Sequence, residues 1–206
     1  MALPGDPELR SPQGGVLKVL LRFSALVDAL NKRIGHVVYW LVLVAVLVSA
    51  GNAVVRYALD MSSNFWLELQ WYLFAAIFLL CAGYTLLRNE HIRIDIVTSQ
   101  FSKRVQTWID ILGGVFFLLP VTLIIMWLAW PVFLDAYVRH ETSVNSTIML
   151  RWPVKLLIPV GFFLLALQGV SEIIKRVAFL MGMAPDPAAK QHAHGEDPEA
   201  HLHPGD

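Results

Sequence analysis

The sequence predicts an all-α integral membrane protein with four transmembrane helices. Of its 206 residues, 56% are hydrophobic and 16% are charged, whereas soluble domains have about 45–50% apolar and about 25% charged residues. Stretches such as VVYWLVLVAVLVSAG leave no polar stripe wide enough to face water, as a soluble bundle would need. Four apolar runs have roughly the 20 residues that a helix needs to cross a bilayer. The predicted spans are residues 34–55, 65–87, 109–130 and 154–174.

The distribution of basic residues predicts that both termini are cytoplasmic. Lys and Arg close to membrane spans tend to stay on the cytoplasmic side. Twelve of the 16 Lys and Arg residues fall in segments on the side of the termini, and four fall on the other side. The formal net charge of zero therefore conceals a strong asymmetry, and it gives no indication of nucleic-acid binding.

Two segments precede the first span. Residues 1–15 are rich in Pro and Gly and are predicted to be disordered. Residues 16–33 carry apolar side chains at helical spacing, with basic residues elsewhere around the helix, which predicts a basic amphipathic helix. Its apolar positions are Val16, Leu20, Phe23, Val27 and Leu30. Two interpretations stay open: the helix lies on the inner leaflet, or it packs on the cytoplasmic surface of a partner protein.

The second span opens with Glu68 just inside the apolar boundary. A carboxylate costs about 2.5–3.5 kcal/mol at the centre of a membrane and less near its edge, so Glu68 should have a partner. Arg56, at the same end of the first span, is the predicted one. We interpret the two as a structural pair in preference to a proton or ion relay.

Prolines and small or polar residues mark the third and fourth spans. Pro120 predicts a kink, because proline lacks a backbone donor and collides with the preceding turn. In the fourth span Gly161, Gln168 and Glu172 share a face, which predicts a packing seam for a neighbouring helix.

The stretch RNEHIRIDIVTSQF, residues 88–101, separates the second and third spans. We interpret it as a short amphipathic helix at the cytoplasmic interface, with Ser102 placed to cap the helix that enters the third span. His91 and Asp95 stand four residues apart and would share a helical face, so a structural pair is favoured over a catalytic one. Arg93 would meet a lipid phosphate or an acidic partner.

The polar tail, residues 182–206, is predicted to be disordered. It contains two H-x-H pairs, which can bind zinc, copper or nickel, but we favour adventitious metal binding or none. These histidines are His192, His194, His201 and His203. Buried bis-histidine haem is not expected, because only His36 lies near a span. We find no catalytic motif, and we predict neither enzymatic activity nor a cofactor.

Four motifs in order resemble one family. They are EHIRIDI at 90–96, WIDILGG at 108–114, ETS at 141–143 and RWPVKLLIPVGFFLLALQ at 151–168. Together they resemble the small membrane subunit, of DctQ type, of tripartite ATP-independent periplasmic (TRAP) transporters, here spanning residues 34–181. The residues assigned to structural or interface roles are Arg56, Glu68, His91, Arg93, Asp95, Asp110, Glu141, Ser143, Arg151, Trp152 and Gln168.

The resemblance implies a non-enzymatic scaffold subunit in a bacterial inner membrane. It would pair with a large multi-span permease that holds the substrate and sodium sites. A periplasmic binding protein would deliver an organic acid, and the small subunit would enlarge the static scaffold against which the transport domain moves. The alternative is a free-standing four-helix membrane protein, either a metal sensor or a self-assembling channel.

Overall fold

The structure is a computed structural model that describes residues 12–60, 64–88, 102–144 and 149–183. Within these ranges the regular structure is helical, apart from one isolated antiparallel bridge between Thr142 and Leu150. The elements are α1 (Pro12–Leu59), α2 (Asn64–Arg88), α3 (Lys103–Gly113), a π-helical turn (Gly114–Leu118), α4 (Leu119–Val138) and α5 (Trp152–Leu180).

Among the described residues, four helices are long and apolar enough to cross a membrane, which confirms the predicted number of spans. The third is a continuous helix, Lys103–Val138, formed by α3, the π-helical turn and α4. We call the end of the bundle where α1 begins and α5 ends the terminal end, and the opposite end the distal end.

Helix α5 is central to the bundle. It packs against α1, α2 and α4, and 44% of its most apolar stretch is buried, compared with 0–11% in the other three spans. The other helices therefore expose much of their apolar surface to whatever surrounds the bundle.

Small residues allow α2 and α5 to approach closely. A Cβ atom at Gly161 would lie 2.8 Å from the carbonyl oxygen of Leu79, and one at Gly83 would lie 3.3 Å from the carbonyl oxygen of Leu164. Helices in a membrane gain little from the hydrophobic effect, so this close packing is a main source of their association.

Helix α1 differs from the prediction. The expected amphipathic helix 16–33 and the first span 34–55 form one unbroken helix of 48 residues, about 72 Å long at 1.5 Å per residue. One face of residues 16–33 packs on α5 of the same chain through Ser24 and Asn31, a contact that neither predicted location included. Contact of the helix with the inner leaflet or with a partner protein stays a prediction. Periodicity identified a helix but carried no information about the neighbour that keeps it in line with the span.

The start of α1 also differs from the prediction. The helix begins at Pro12, inside the segment 1–15 that was expected to be disordered. Proline is tolerated in the first turn of a helix, where its missing N–H group would have no partner. Most of the tail, residues 184–206, lies outside the described residues.

The distortion expected at Pro120 takes the form of a π-helical turn. Gly114–Leu118 ends two residues before Pro120, and the Leu119 N–H donates to the Gly114 carbonyl, five residues earlier. The wider turn suits a sequence in which proline would otherwise collide with the carbonyl oxygen of Phe116.

The helix entering the third span begins at Lys103, with Ser102 at the predicted N-cap position. The Ser102 side chain makes no capping hydrogen bond. Its backbone carbonyl accepts the first hydrogen bond of the helix, from the Gln106 N–H at 3.1 Å. The interfacial helix predicted for residues 88–101 lies almost wholly outside the described residues.

We predict that Gly161→Ala destabilises the bundle. Its methyl group would overlap the backbone of Leu79, and overpacking of this kind costs about 1–3 kcal/mol. Thermal unfolding in detergent should show a lower Tm. The matched control is Gly51→Ala, where an added Cβ meets nothing within 4 Å, so that only the gain in helix propensity remains. Equal Tm values for the two variants would contradict the proposed close contact.

Candidate functional site

A polar network joins α1 to α5 at the terminal end. On α1, Ser24, Asp28 and Asn31 are spaced four and three residues apart. The polar residues of α5 also recur every three or four residues, so each set lies on one face of its helix. We call this set the terminal polar network. Its members are Ser24, Asp28, Asn31, Asp110, Gln168, Ser171, Glu172, Lys175 and Arg176.

The side-chain amide of Gln168 lies at the centre of the network and is fully buried. Its Nε2 donates to Asp28 Oδ1 at 2.9 Å and to Glu172 Oε1 at 3.1 Å. Its Oε1 accepts from Asn31 Nδ2 at 2.8 Å. Because an amide offers both donors and an acceptor, Gln168 can bridge two carboxylates and a second amide at once.

Ion pairs extend the network from α1 through α5 to α3. Lys175 Nζ lies 3.1 Å from Asp28 Oδ2 and also contacts Glu172. Arg176 lies 2.9 Å from Glu172 Oε2 and 3.2 Å from Asp110 Oδ2. Charges removed from water are costly unless they are paired and hydrogen-bonded. The alternation of acids and bases therefore fixes the relative positions of three helices.

Small side chains allow the helices of the network to meet closely. The hydroxyl oxygens of Ser24 and Ser171 are 2.6 Å apart, and both residues are buried. On the α2 side, a Cβ at Gly83 would lie 2.4 Å from Asn31 Oδ1. Glycine at this position leaves the space that the amide of Asn31 occupies.

A second polar cluster lies at the distal end, where Glu68 meets the connection between α4 and α5. Its Oε1 accepts a short hydrogen bond from Ser143 Oγ. The predicted pairing of Glu68 with Arg56 is therefore wrong: Arg56 is exposed and lines a separate cleft. Arg56 and Glu68 lie near the same membrane boundary in the sequence, but the sequence did not reveal which side of its helix each one occupies. The other polar residues of that cleft are Ser49, Asn52, Asp60 and Gln70.

Backbone hydrogen bonds hold the α4–α5 connection in place. The Ser143 N–H donates to the Met149 carbonyl at 2.9 Å, and the Arg151 N–H donates to the Glu141 carbonyl at 2.8 Å. Tyr72 reaches this connection from α2 and donates its hydroxyl to the Leu150 carbonyl at 3.3 Å. The connection thus presents Ser143 to Glu68 from a fixed backbone.

Glu141 is held between two cations in the same connection. It contacts Lys155, and the Nη1 atom of Arg151 lies 3.2 Å from its Oε1. The hydrogen bonds from Lys155 and Arg151 hold the pKa of Glu141 below its ordinary value of 4.5, and the one from Lys155 has the larger effect. Next to this pair, Trp152 packs edge-on against Tyr137, with 5.6 Å between ring centroids.

The structure thus divides the sequence-predicted site residues into four groups. Asp110 and Gln168 belong to the terminal polar network. Glu68, Glu141, Ser143, Arg151 and Trp152 gather at the distal end. Arg56 lies apart from both clusters, and His91, Arg93 and Asp95 lie outside the described residues.

Several members of the terminal polar network were not predicted. No role in helix contacts was predicted for Ser24, Asp28, Asn31, Ser171 or Lys175. The signal for Ser24, Asp28 and Asn31 was a polar stripe at i, i+4 and i+7 within residues 16–33. It was overlooked because the apolar positions of the same helix were used to assign its face.

These features define a class of protein. The chain is a four-span helical membrane protein whose buried polar side chains bind one another and hold its helices together. Within the described ranges, no group of three or more His, Cys, Asp or Glu residues could hold a metal ion.

The comparison with protein families identifies the family. The family described as "Tripartite ATP-independent periplasmic transporters, DctQ component" matches residues 45–179, more than half of the chain. The chain belongs to this family, which confirms the resemblance found in the sequence. It is therefore a TRAP transporter component and not an enzyme. No curated protein and no solved structure gave a significant match.

We predict that Gln168→Glu destabilises the protein more than Gln168→Leu. Leucine removes the hydrogen bonds of the amide, a loss of at least about 1 kcal/mol, whereas glutamate also places a third carboxylate against Asp28 and Glu172. Unfolding of both variants by SDS at neutral pH measures the order. Gln70→Leu, in the cleft that Arg56 lines and outside the network, is the control. A stability of Gln168→Glu equal to that of the native chain would contradict the role of the amide.

We predict an acid-dependent contribution from Glu141. Because its folded pKa is lowered, its ion pairs stabilise the fold above the unfolded pKa, and this stability is lost as pH falls through the still lower folded pKa. Glu141→Gln should therefore have a lower Tm than the native chain at neutral pH, and the difference should shrink below about pH 4.5. Asp135→Asn, which breaks the exposed pair with Arg139, should change Tm little at any pH. A pH-independent Tm difference for Glu141→Gln would refute the assignment.

Proposed function

We propose that this chain is the small scaffold subunit of a sodium-coupled TRAP importer of organic acids. It would assemble in the membrane with a large permease that holds the sodium and substrate sites, and a periplasmic binding protein would deliver the substrate. Membership of the DctQ family supplies the transporter class. The terminal polar network is the structural observation that supports a scaffold role.

The network supports a static role because its side chains are engaged with one another. Gln168, Glu172 and Arg176 are buried, and their hydrogen bonds and ion pairs go to α1, α3 and α5 itself. A solute pathway needs polar groups that can exchange partners with the solute inside the membrane. In this chain the polar groups at the helix contacts serve to hold the helices in fixed positions.

Large apolar side chains cover the outside of the same bundle. Trp40 is 70% exposed on α1, Phe78 is 76% exposed on α2, and Trp127 is 78% exposed on α4. Such surfaces require lipid or a further apolar protein surface. We propose that part of this surface packs against the large permease, which would make the bundle an extension of its scaffold.

We propose an inner-membrane orientation with both termini in the cytoplasm. The excess of Lys and Arg on the terminal side supports this orientation. In that orientation the Glu68 and Glu141 cluster faces the periplasm, where the binding protein would approach the transporter.

The alternative function is that of a free-standing protein, a metal sensor or a self-assembling channel. The observation that favours it is the pair of H-x-H motifs in residues 192–203, which lie outside the described residues. Removal of residues 191–206 distinguishes the two functions, because a scaffold subunit should keep its activity without the tail.

Reconstituted transport tests the proposed function. Proteoliposomes that contain this chain, the permease, or both would receive the binding protein and a panel of radiolabelled monocarboxylates, dicarboxylates and sugar acids. We expect sodium-dependent uptake only when both membrane proteins are present, and unchanged uptake when residues 191–206 are deleted. Uptake by this chain alone, or full uptake without it, would refute the proposal.

A further inference from the structure

Four cations lie on one side of α1 at the terminal end. At 100° per residue they fall within an arc of about 100° on the helix, and all are exposed. We call them the basic flank, which consists of Lys18, Arg22, Lys32 and Arg33. The flank lies away from the face that carries Ser24 and Asn31, both buried against α5.

The charge of the basic flank is uncompensated by the parts of the chain that the structure describes. Within those ranges none of its four side chains forms an ion pair. Asp28 is the one acid in residues 15–36, and its carboxylate is engaged by Lys175 of α5. The other acids of the terminal polar network, Glu172 and Asp110, are engaged by Lys175 and Arg176. Within the described residues, the acids of the terminal polar network are thus paired with Lys175 and Arg176 and not with the flank.

The cations of the distal connection are different. Arg139 pairs with Asp135, and Arg151 and Lys155 both pair with Glu141. The flank therefore differs from the cations of this connection, although Arg56, Lys103 and Arg104 are likewise exposed without an ion pair among the described residues. This difference does not follow from the composition of the chain, whose formal net charge is zero.

An apolar strip runs beside the basic flank. Val19 is 64% exposed, Leu26 is 70% exposed and Leu30 is 43% exposed, with Phe23 between them at 39%. The strip is continuous along α1 with the first membrane span. At about 72 Å, α1 is more than twice as long as the hydrocarbon core of about 30 Å is thick, so the helix passes through one headgroup layer near the flank.

We propose that the basic flank binds anionic phospholipid headgroups of the leaflet at the terminal end, while their acyl chains lie along the exposed apolar surface of the first span, with which the strip is continuous. Lys and Arg can lay their aliphatic stems along apolar surface and place their charges at the phosphate level. Adjacent apolar and cationic strips match both parts of a lipid, and the uncompensated charge selects an anionic one. The site goes beyond the proposed function and would anchor the terminal end of α1 without any other protein.

Native mass spectrometry of the full chain in detergent tests the proposal. The probes are dioleoylphosphatidylglycerol, which is anionic, and dioleoylphosphatidylcholine, which has the same acyl chains and no net charge. The native chain should retain the anionic lipid preferentially. Arg22→Gln with Arg33→Gln should reduce that preference at least about fivefold, since each basic residue near an anionic membrane surface adds to the attraction. Arg22→Lys with Arg33→Lys, which keeps the charge, should preserve most of it.

The matched control is Arg56→Gln with Arg139→Gln, which removes two charges at the distal end and should leave the preference unchanged. The proposal is overturned if the two double Gln variants lose the preference equally, or if the native chain has none. It is also overturned if the flank variant keeps its lipids but no longer copurifies with the permease, because the flank would then be a protein contact. None of these results would decide whether the chain is required for uptake, so the proposed function is tested separately.

Discussion

The buried amide of Gln168 is the interaction on which the arrangement of the bundle depends. It hydrogen-bonds to Asn31 and Asp28 of α1 and to Glu172 of its own helix, and each of these polar groups would be costly to bury without a partner. These partners lie on two helices, so α1 and α5 must take up the one arrangement in which all of these hydrogen bonds form. The same requirement brings Lys175 and Arg176 into the site and connects it to Asp110 on α3.

Two kinds of contact stabilise the packing of the helices. Glycines at 83 and 161 allow α2 and α5 to pack closely, while hydrogen bonds and ion pairs join α1 to the terminal part of α5. The first kind depends on shape, and the second also depends on complementary charge and on direction. A bundle held by both is suited to remain rigid while a larger partner moves, which is the property that a scaffold subunit needs.

The sequence was sufficient for the number of spans and for the family, because both depend on long apolar runs and on local motifs. It was insufficient for contacts between helices. Arg56 and Glu68 lie near the same boundary, yet Glu68 hydrogen-bonds to Ser143, 75 residues further along the chain. Likewise, the apolar pattern of residues 16–33 revealed a helix, but only the positions of Ser171 and Gln168 show why it continues in line with the first span. A single sequence reports periodicity within a helix and does not report which faces meet.

Disulfide formation between Ser24→Cys and Ser171→Cys tests the central claim most directly, namely that residues 16–33 of α1 pack on α5. The two hydroxyl oxygens are 2.6 Å apart, and Cys81→Ser removes the single native cysteine. In membranes treated with a mild oxidant, the double variant should form an intramolecular disulfide rapidly. Ala25→Cys with Ser171→Cys, whose first residue points away from α5, should not. Failure of the first pair to cross-link, or equal cross-linking of both pairs, would contradict the account.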